Sequence, residues 1–172
     1  DGRLIEQKKL LITNEDYPED MTLHVRDPKV WKEDGQYYMV LGARSREDRG
    51  QVLLYTGEDG LKWRLLSRFS SSSPLGYMWE CPDLFPLGGK HILIFCPQGL
   101  QPDGMRFHNG DTCGYTVVED DFRLGGDIPS FEELDRGFDF YAAQTFSGTG
   151  DRKILLGWMG LPAPHENPTV PY

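Results

Sequence analysis

Two carboxylates in this chain sit where acid–base chemistry on a sugar could be done. Glu80 lies in Leu75-Gly76-Tyr77-Met78-Trp79-Glu80-Cys81-Pro82-Asp83-Leu84-Phe85, between aromatic residues and just ahead of a strand-like apolar run. Flanked by Tyr77, Trp79 and Cys81, its carboxyl is expected to be partly desolvated, which disfavours the charged form and suits a general acid near neutral pH. Asp27 lies in Val25-Arg26-Asp27-Pro28-Lys29-Val30-Trp31, where the adjacent Arg26 is expected to hold it ionised. A protonated and an ionised carboxyl at one pocket is what glycoside cleavage requires. One protonates the departing oxygen, and the other stabilises positive charge or attacks the anomeric carbon. The plain alternatives are a surface Glu beside a half-buried ring and an Arg26–Asp27 ion pair that only ends a strand.

A third group follows in Phe138-Asp139-Phe140-Tyr141-Ala142-Ala143-Gln144-Thr145-Phe146. Asp139, Tyr141 and Gln144 could each hydrogen-bond a sugar hydroxyl, or equally serve a structural bond. Trp158, in Gly157-Trp158-Met159-Gly160, could stack on a sugar ring or fill a core. Arg44, Arg46 and Arg49 read first as a solvated charged loop, with a sugar phosphate as the alternative ligand. His24, His91, His108 and His165 lack ligand spacing, so neither a metal site nor a cofactor is expected. Cys81, Cys96 and Cys113 include no Cys-x-x-Cys pair, so a reducing setting is expected rather than a disulfide framework.

These residues recur with the chain's internal repeat. A shift of 54 residues places Pro28 on Pro82, Trp31 on Phe85, Gly35 on Gly89 and Tyr38-Met39-Val40-Leu41 on Ile92-Leu93-Ile94-Phe95. A further shift of 61 places Phe85 on Phe146, Gly89 on Gly150 and Leu93-Ile94-Phe95 on Ile154-Leu155-Leu156. Each repeat opens with a strand ending in an aromatic, passes a glycine turn and enters a buried strand. A repeat of about 50 residues with four antiparallel strands is the pattern of a propeller blade. The expected fold is therefore all-β, a partial β-propeller of about two and a half blades with repeats starting near 25, 79 and 139. Residues equivalent in successive first strands converge at one end of the central channel, which would bring Arg26-Asp27 and Glu80-Cys81 to a common pocket.

Locally, Lys9-Leu10-Leu11-Ile12 reads as an outer strand, and Pro28 should lie near the start of its strand, because a proline inside a central strand removes a ladder hydrogen bond. One helical turn is expected near Ser130-Phe131-Glu132-Glu133-Leu134. The formal net charge of −9 argues against nucleic acid as a partner, since phosphate backbones call for clustered Lys and Arg. Aromatics at 12%, with 20 Gly and 12 Pro, suit many tight turns and equally suit sugar stacking. No apolar run approaches a membrane span, so no membrane partner is expected. The uncovered faces of an open arc of blades would favour either a longer parent protein or self-association.

The segments around Arg26-Asp27-Pro28, Glu80-Cys81-Pro82-Asp83 and Phe138-Asp139-Phe140-Tyr141 resemble, in order, three signature segments of glycoside hydrolase family 32, the invertases, fructanases and sucrose-6-phosphate hydrolases. Leu75-Gly76-Tyr77-Met78-Trp79-Glu80 and Ile94-Phe95-Cys96-Pro97-Gln98-Gly99-Leu100 look most like the bacterial sucrose-6-phosphate hydrolases. The resemblance implies a five-bladed catalytic propeller and a retaining mechanism through a fructosyl-enzyme intermediate. It implies Glu80 as general acid/base, Asp27 as transition-state stabiliser, Arg26 and Cys81 as their companions, and Asp139 and Tyr141 in a segment that reaches the substrate. The family's nucleophilic Asp belongs to an Asn-Asp-Pro segment that has no counterpart here. The chain is thus expected to be an internal piece of the catalytic domain, without the nucleophile blade and the C-terminal β-sandwich, and inactive alone. A carbohydrate-binding propeller segment that uses the same carboxylates as hydroxyl ligands is the alternative.

Overall fold

The computed structural model describes residues 8–119 and 121–162, so His165 lies outside the described residues. Eleven strands run in chain order: β1 (Met21–Glu33), β2 (Gln36–Ser45), β3 (Gly50–Gly57), β4 (Arg64–Ser70), β5 (Met78–Leu87), β6 (Lys90–Gln98), β7 (Gly114–Val118), β8 (Gly126–Asp127), β9 (Glu132–Glu133), β10 (Tyr141–Thr145) and β11 (Leu155–Trp158). No α-helix occurs among the described residues. The sheets follow the sequence repeat. One has the order β1-β2-β3-β4-β8, the next β5-β6-β7-β9, and the last is the pair β10-β11. Their opening strands β1, β5 and β10 pack side by side with β5 in the middle, the arrangement of successive propeller blades about an axis.

The blades adhere through apolar faces. Tyr38, Val40, Val52, Leu54 and Phe69 of the first sheet meet Trp79, Leu84, Leu93 and Phe95 of the second, with Phe122, Ile128 and Phe131 completing the cluster. Trp79 is fully buried there, its ring 4.2 Å from that of Phe95. A smaller cluster joins the second sheet to the third through Phe85, Ile94, Cys96, Cys113, Tyr141 and Ala143. The central strands β2, β3 and β6 read as nearly continuous apolar runs because they are covered on both faces. The segment after β7 ties the first two blades together. Its 3-10 turn at Phe122–Leu124 buries Phe122 between them, and β8 then pairs in parallel with the outer strand β4.

Three local expectations need correction. Lys9 to Ile12 forms no strand. Leu10 is exposed, while Ile12 and Tyr17 cover the outer face of the first sheet beside Met39 and Tyr55. The turn expected at Ser130–Leu134 is instead the short strand β9, and its Glu132 pairs with Tyr115. Pro28 lies inside β1 rather than at its start, as its repeat equivalent Pro82 lies inside β5. They are tolerated because each sits in a β-bulge, whose extra residue has no ladder partner to lose.

The close approach of the first two blades depends on Gly42, the partner of Arg26 in the β1–β2 ladder. A Cβ at this position would stand 2.1 Å from the carbonyl oxygen of Trp79. Gly42→Ala is therefore expected to push β5 away from β2 and cost about 1–3 kcal/mol, as overpacking does. Chemical denaturation of the wild-type and substituted proteins measures it, and an unchanged midpoint would contradict the close contact.

Candidate active site

The three bulges build the site. The ladder slips by one residue between Arg26 and Lys29 in β1, between Glu80 and Asp83 in β5, and between Tyr141 and Gln144 in β10. In each, the residue after the first of these positions adopts a left-handed backbone: Asp27 at φ 60°, Cys81 at φ 49° and Ala142 at φ 53°. Such a conformation costs a non-glycine residue about 1–2 kcal/mol. Three repeats of it at one level place a local strain where side chains must be re-aimed.

Equivalent residues of the three strands then bond across the axis in layers. In the first, Arg26 donates through Nε and Nη2 to Glu80 Oε1, at 2.8 and 2.6 Å, and Tyr141 donates through its hydroxyl to Glu80 Oε2 at 2.7 Å. Both carboxylate oxygens of Glu80 thus have a donor, and its side chain keeps only 16% exposure. Tyr141 is buried, and its hydroxyl is pushed well above the ordinary phenol range, first by that burial and then by its acidic neighbours, so it remains a proton-bearing donor. In the second layer the Cys81 backbone N–H donates to Asp27 Oδ2 at 2.9 Å, with the Cys81 thiol 3.6 Å from the same oxygen. In the third, Lys29 Nζ donates to Asp83 Oδ2 at 3.1 Å and to the carbonyl of Thr145 at 2.6 Å. Thr145 donates to that Asp83 oxygen through its N–H and its hydroxyl, at 2.6 and 2.7 Å.

Several sequence expectations change here. Arg26 embraces Glu80, from the next blade, rather than its neighbour Asp27. Trp79 does not shield Glu80. Adjacent strand residues point to opposite faces, and the indole enters the blade interface, donating to the carbonyl of Leu75 at 2.6 Å. Gln144 is occupied by structural bonds, its Nε2 donating to the Cys81 carbonyl at 3.0 Å and its Oε1 accepting from Lys29 at 3.4 Å. Asp139 is exposed, two residues before β10 begins. Trp158 pairs with Tyr141 across the β10–β11 ladder and is half exposed, its ring close to Gly160.

Other members of the site were not foreseen. Lys29, Asp83 and Thr145 were passed over, although the 54-residue shift lays Lys29 on Asp83 and so carried the signal. The three cysteines also come together. The Cys96 thiol is pushed well above its ordinary value by hydrogen bonding with Cys113, then with Cys81, and by burial, while bonding to Cys96 lowers Cys113. Cys96 is moreover the cross-strand partner of Glu80, so these thiols back the carboxylate. All three cysteines are free, and no group of three or more His, Cys, Asp or Glu among the described residues is placed to hold a metal ion. No helix of the described residues is long and apolar enough to cross a membrane.

The three arginines expected in one charged loop divide, since Arg44 belongs to β2, where it pairs with Gly50, and only Arg46 and Arg49 lie in the loop after it. Arg49 Nη2 donates to the carbonyls of Ser71, Ser72 and Ser73, and Arg46 Nε to that of Met21. Arg44 instead stacks on Tyr77, 4.8 Å from the ring centroid. It lines a cavity of about 300 Å³ with His24, Arg26, Tyr77, Met78 and Gln98, directly beside the Arg26–Glu80 pair.

Comparison with known proteins agrees with this architecture. The model of the glycosyl hydrolases family 32 N-terminal domain matches residues 2–171. A sucrose-6-phosphate hydrolase of Klebsiella pneumoniae is 48% identical over 151 residues, which are 84% of this chain and 32% of that protein. One from Bacillus subtilis is 42% identical over 182 residues, 99% of this chain and 36% of its own. Among solved structures, a mutant Bombyx mori GH32 beta-fructofuranosidase in complex with sucrose matches with a TM-score of 0.76 and 42% identity, over 84% of this chain and 31% of that one. The chain spans about a third of the length of the curated relatives it matches.

Proposed function

The chain belongs to glycosyl hydrolase family 32, and from that membership we propose that it is part of a retaining β-fructofuranosidase that cleaves sucrose or sucrose 6-phosphate. The observation that carries this reading is the carboxylate pair on adjacent bulges. Glu80 is held by Arg26 and Tyr141, and Asp27 by the backbone of Cys81. Glu80 gives a proton to the departing glucosyl oxygen and later takes one from water, as a general acid/base does. Asp27 faces the fructosyl ring and offsets the positive charge that develops as the glycosidic bond breaks.

The nucleophile that a retaining mechanism requires belongs, on this reading, to a further blade of the full-length protein. Phe146, Leu156, Trp158 and Met159, all half exposed or more on the third sheet and just beyond it, offer an apolar surface on which another blade could pack. The three free thiols fit a cytoplasmic setting. The experiment is fructose release from sucrose and from sucrose 6-phosphate by the full-length protein and by this chain. Release by the full-length protein alone is expected. Sugar binding without release by either would favour the carbohydrate-binding alternative.

Tyr141→Phe isolates one donor. A hydrogen bond to a charged group is worth about 1.5–3 kcal/mol, so kcat/KM for sucrose in the full-length enzyme should fall about tenfold to a hundredfold. The fold should persist, because the ring still fills its place beside Phe85 and Ile94. A variant with full activity would mean that Arg26 alone positions Glu80.

A further inference from the structure

The cavity beside the carboxylate pair gathers two arginines and a histidine in a chain whose formal net charge is −9. Its wall is ordered. Arg26 uses Nε and Nη2 on Glu80, and its Nη1 lies 3.2 Å from His24 Nδ1, which accepts in the tautomer that carries its proton on Nε2. Arg44 is fixed on one face by the Tyr77 ring and on one edge by Asp48, which accepts from its Nε and Nη2 at 2.9 and 2.7 Å. A stacked guanidinium keeps its donors in a planar fork suited to a tetrahedral oxyanion. Gln98, nearly buried, lines the same space.

Resting on the fructosidase reading, we propose that this cavity binds a phosphate monoester carried by the leaving sugar, with Arg44 as the specificity-determining residue and His24 and Gln98 as supporting donors. The chemistry sets the side. Glu80 protonates the departing oxygen, so the leaving sugar lies toward Glu80, and the cavity adjoins Glu80 through Arg26. Three carboxylates oppose an anion there, and each already accepts a hydrogen bond, Asp48 from the Arg44 fork itself. Glu80 is paired with Arg26, and Asp111 accepts from the backbone N–H of Gly99. Asp48 is 65% exposed, and an ion pair of that kind yields readily to a better ligand. Arg46 and Arg49, bonded to backbone carbonyls, take no part.

The test compares kcat/KM for sucrose 6-phosphate with kcat/KM for sucrose in the full-length protein. Arg44→Gln should lower the ratio of the two tenfold or more, and Asp48→Ala, which frees the fork of Arg44, should raise it. A ratio unmoved by either substitution overturns the assignment. Should the wild-type protein hydrolyse neither sugar, the fructosidase reading fails by itself, and calorimetry with glucose 6-phosphate then decides the cavity. Binding weakened at least tenfold by Arg44→Gln upholds it, and binding that is absent or indifferent to the substitution overturns it. Inorganic phosphate, titrated in the same way, separates a sugar phosphate from a free anion. Glucose 6-phosphate must bind the more tightly, and equal or weaker binding than inorganic phosphate overturns the leaving-group assignment.

Discussion

Glu80→Ala in the full-length enzyme is expected to lower kcat/KM for sucrose by about 10²–10⁴, the range that a positioned general acid contributes. The loss should be much smaller on a fructoside whose leaving group departs as a stable anion, because that oxygen needs little protonation. This asymmetry separates an acid from a residue that merely holds the pocket together. Truncation also leaves the Arg26 guanidinium and the Tyr141 hydroxyl without their shared acceptor, a structural cost that would weigh on both substrates alike. Glu80→Gln controls for it, since the amide keeps an acceptor oxygen for Arg26 while lacking the transferable proton. Equal losses on both substrates in the Gln variant would remove the acid/base role from Glu80.

Asp27→Asn should instead reduce activity on both substrates together, by at least about 10²–10³-fold, the typical effect of removing one group aimed at developing charge. The leaving group is irrelevant to this loss, because the positive charge grows on the fructosyl ring whichever oxygen departs. The fold is expected to survive. The Asn side-chain oxygen can still accept from the Cys81 N–H, and Asn tolerates the left-handed backbone that Asp27 adopts at φ 60°. Steady-state rates on the two fructosides, with near-ultraviolet circular dichroism to follow the packing, check both points. A variant that retains most activity would reduce Asp27 to a structural anchor between the first two blades.

Much of the blade plan was legible because it is written in periodicity. Shifting the chain by 54 residues superposes Val30-Trp31 on Leu84-Phe85, and β1 and β5 occupy these positions. The axial alignment of Arg26 with Glu80 followed from the same shift. Pro28 was misplaced within its strand because the proline rule concerns regular ladders, and the bulge that suspends it depends on pairing with β2. Lys9 to Ile12 has the composition of a strand, yet no sheet edge receives it. The short strand β9 owes its state to Tyr115 and Gly114 alongside it rather than to any preference of Glu132-Glu133.

By itself the sequence determined the all-β class, the repeat, and which residue types meet at the axis, since each follows from spacing along one chain. Only the tertiary structure decided the partners of those residues. Arg26 precedes Asp27 in the chain yet bonds Glu80 of the next blade, because neighbours along a strand diverge while equivalent positions of adjacent blades converge. Arg44, Arg46 and Arg49 were divided in the same way. Arg46 and Arg49 find carbonyl oxygens, whereas Arg44 finds the Tyr77 ring, a distinction set by the surface each side chain meets once the blades have packed.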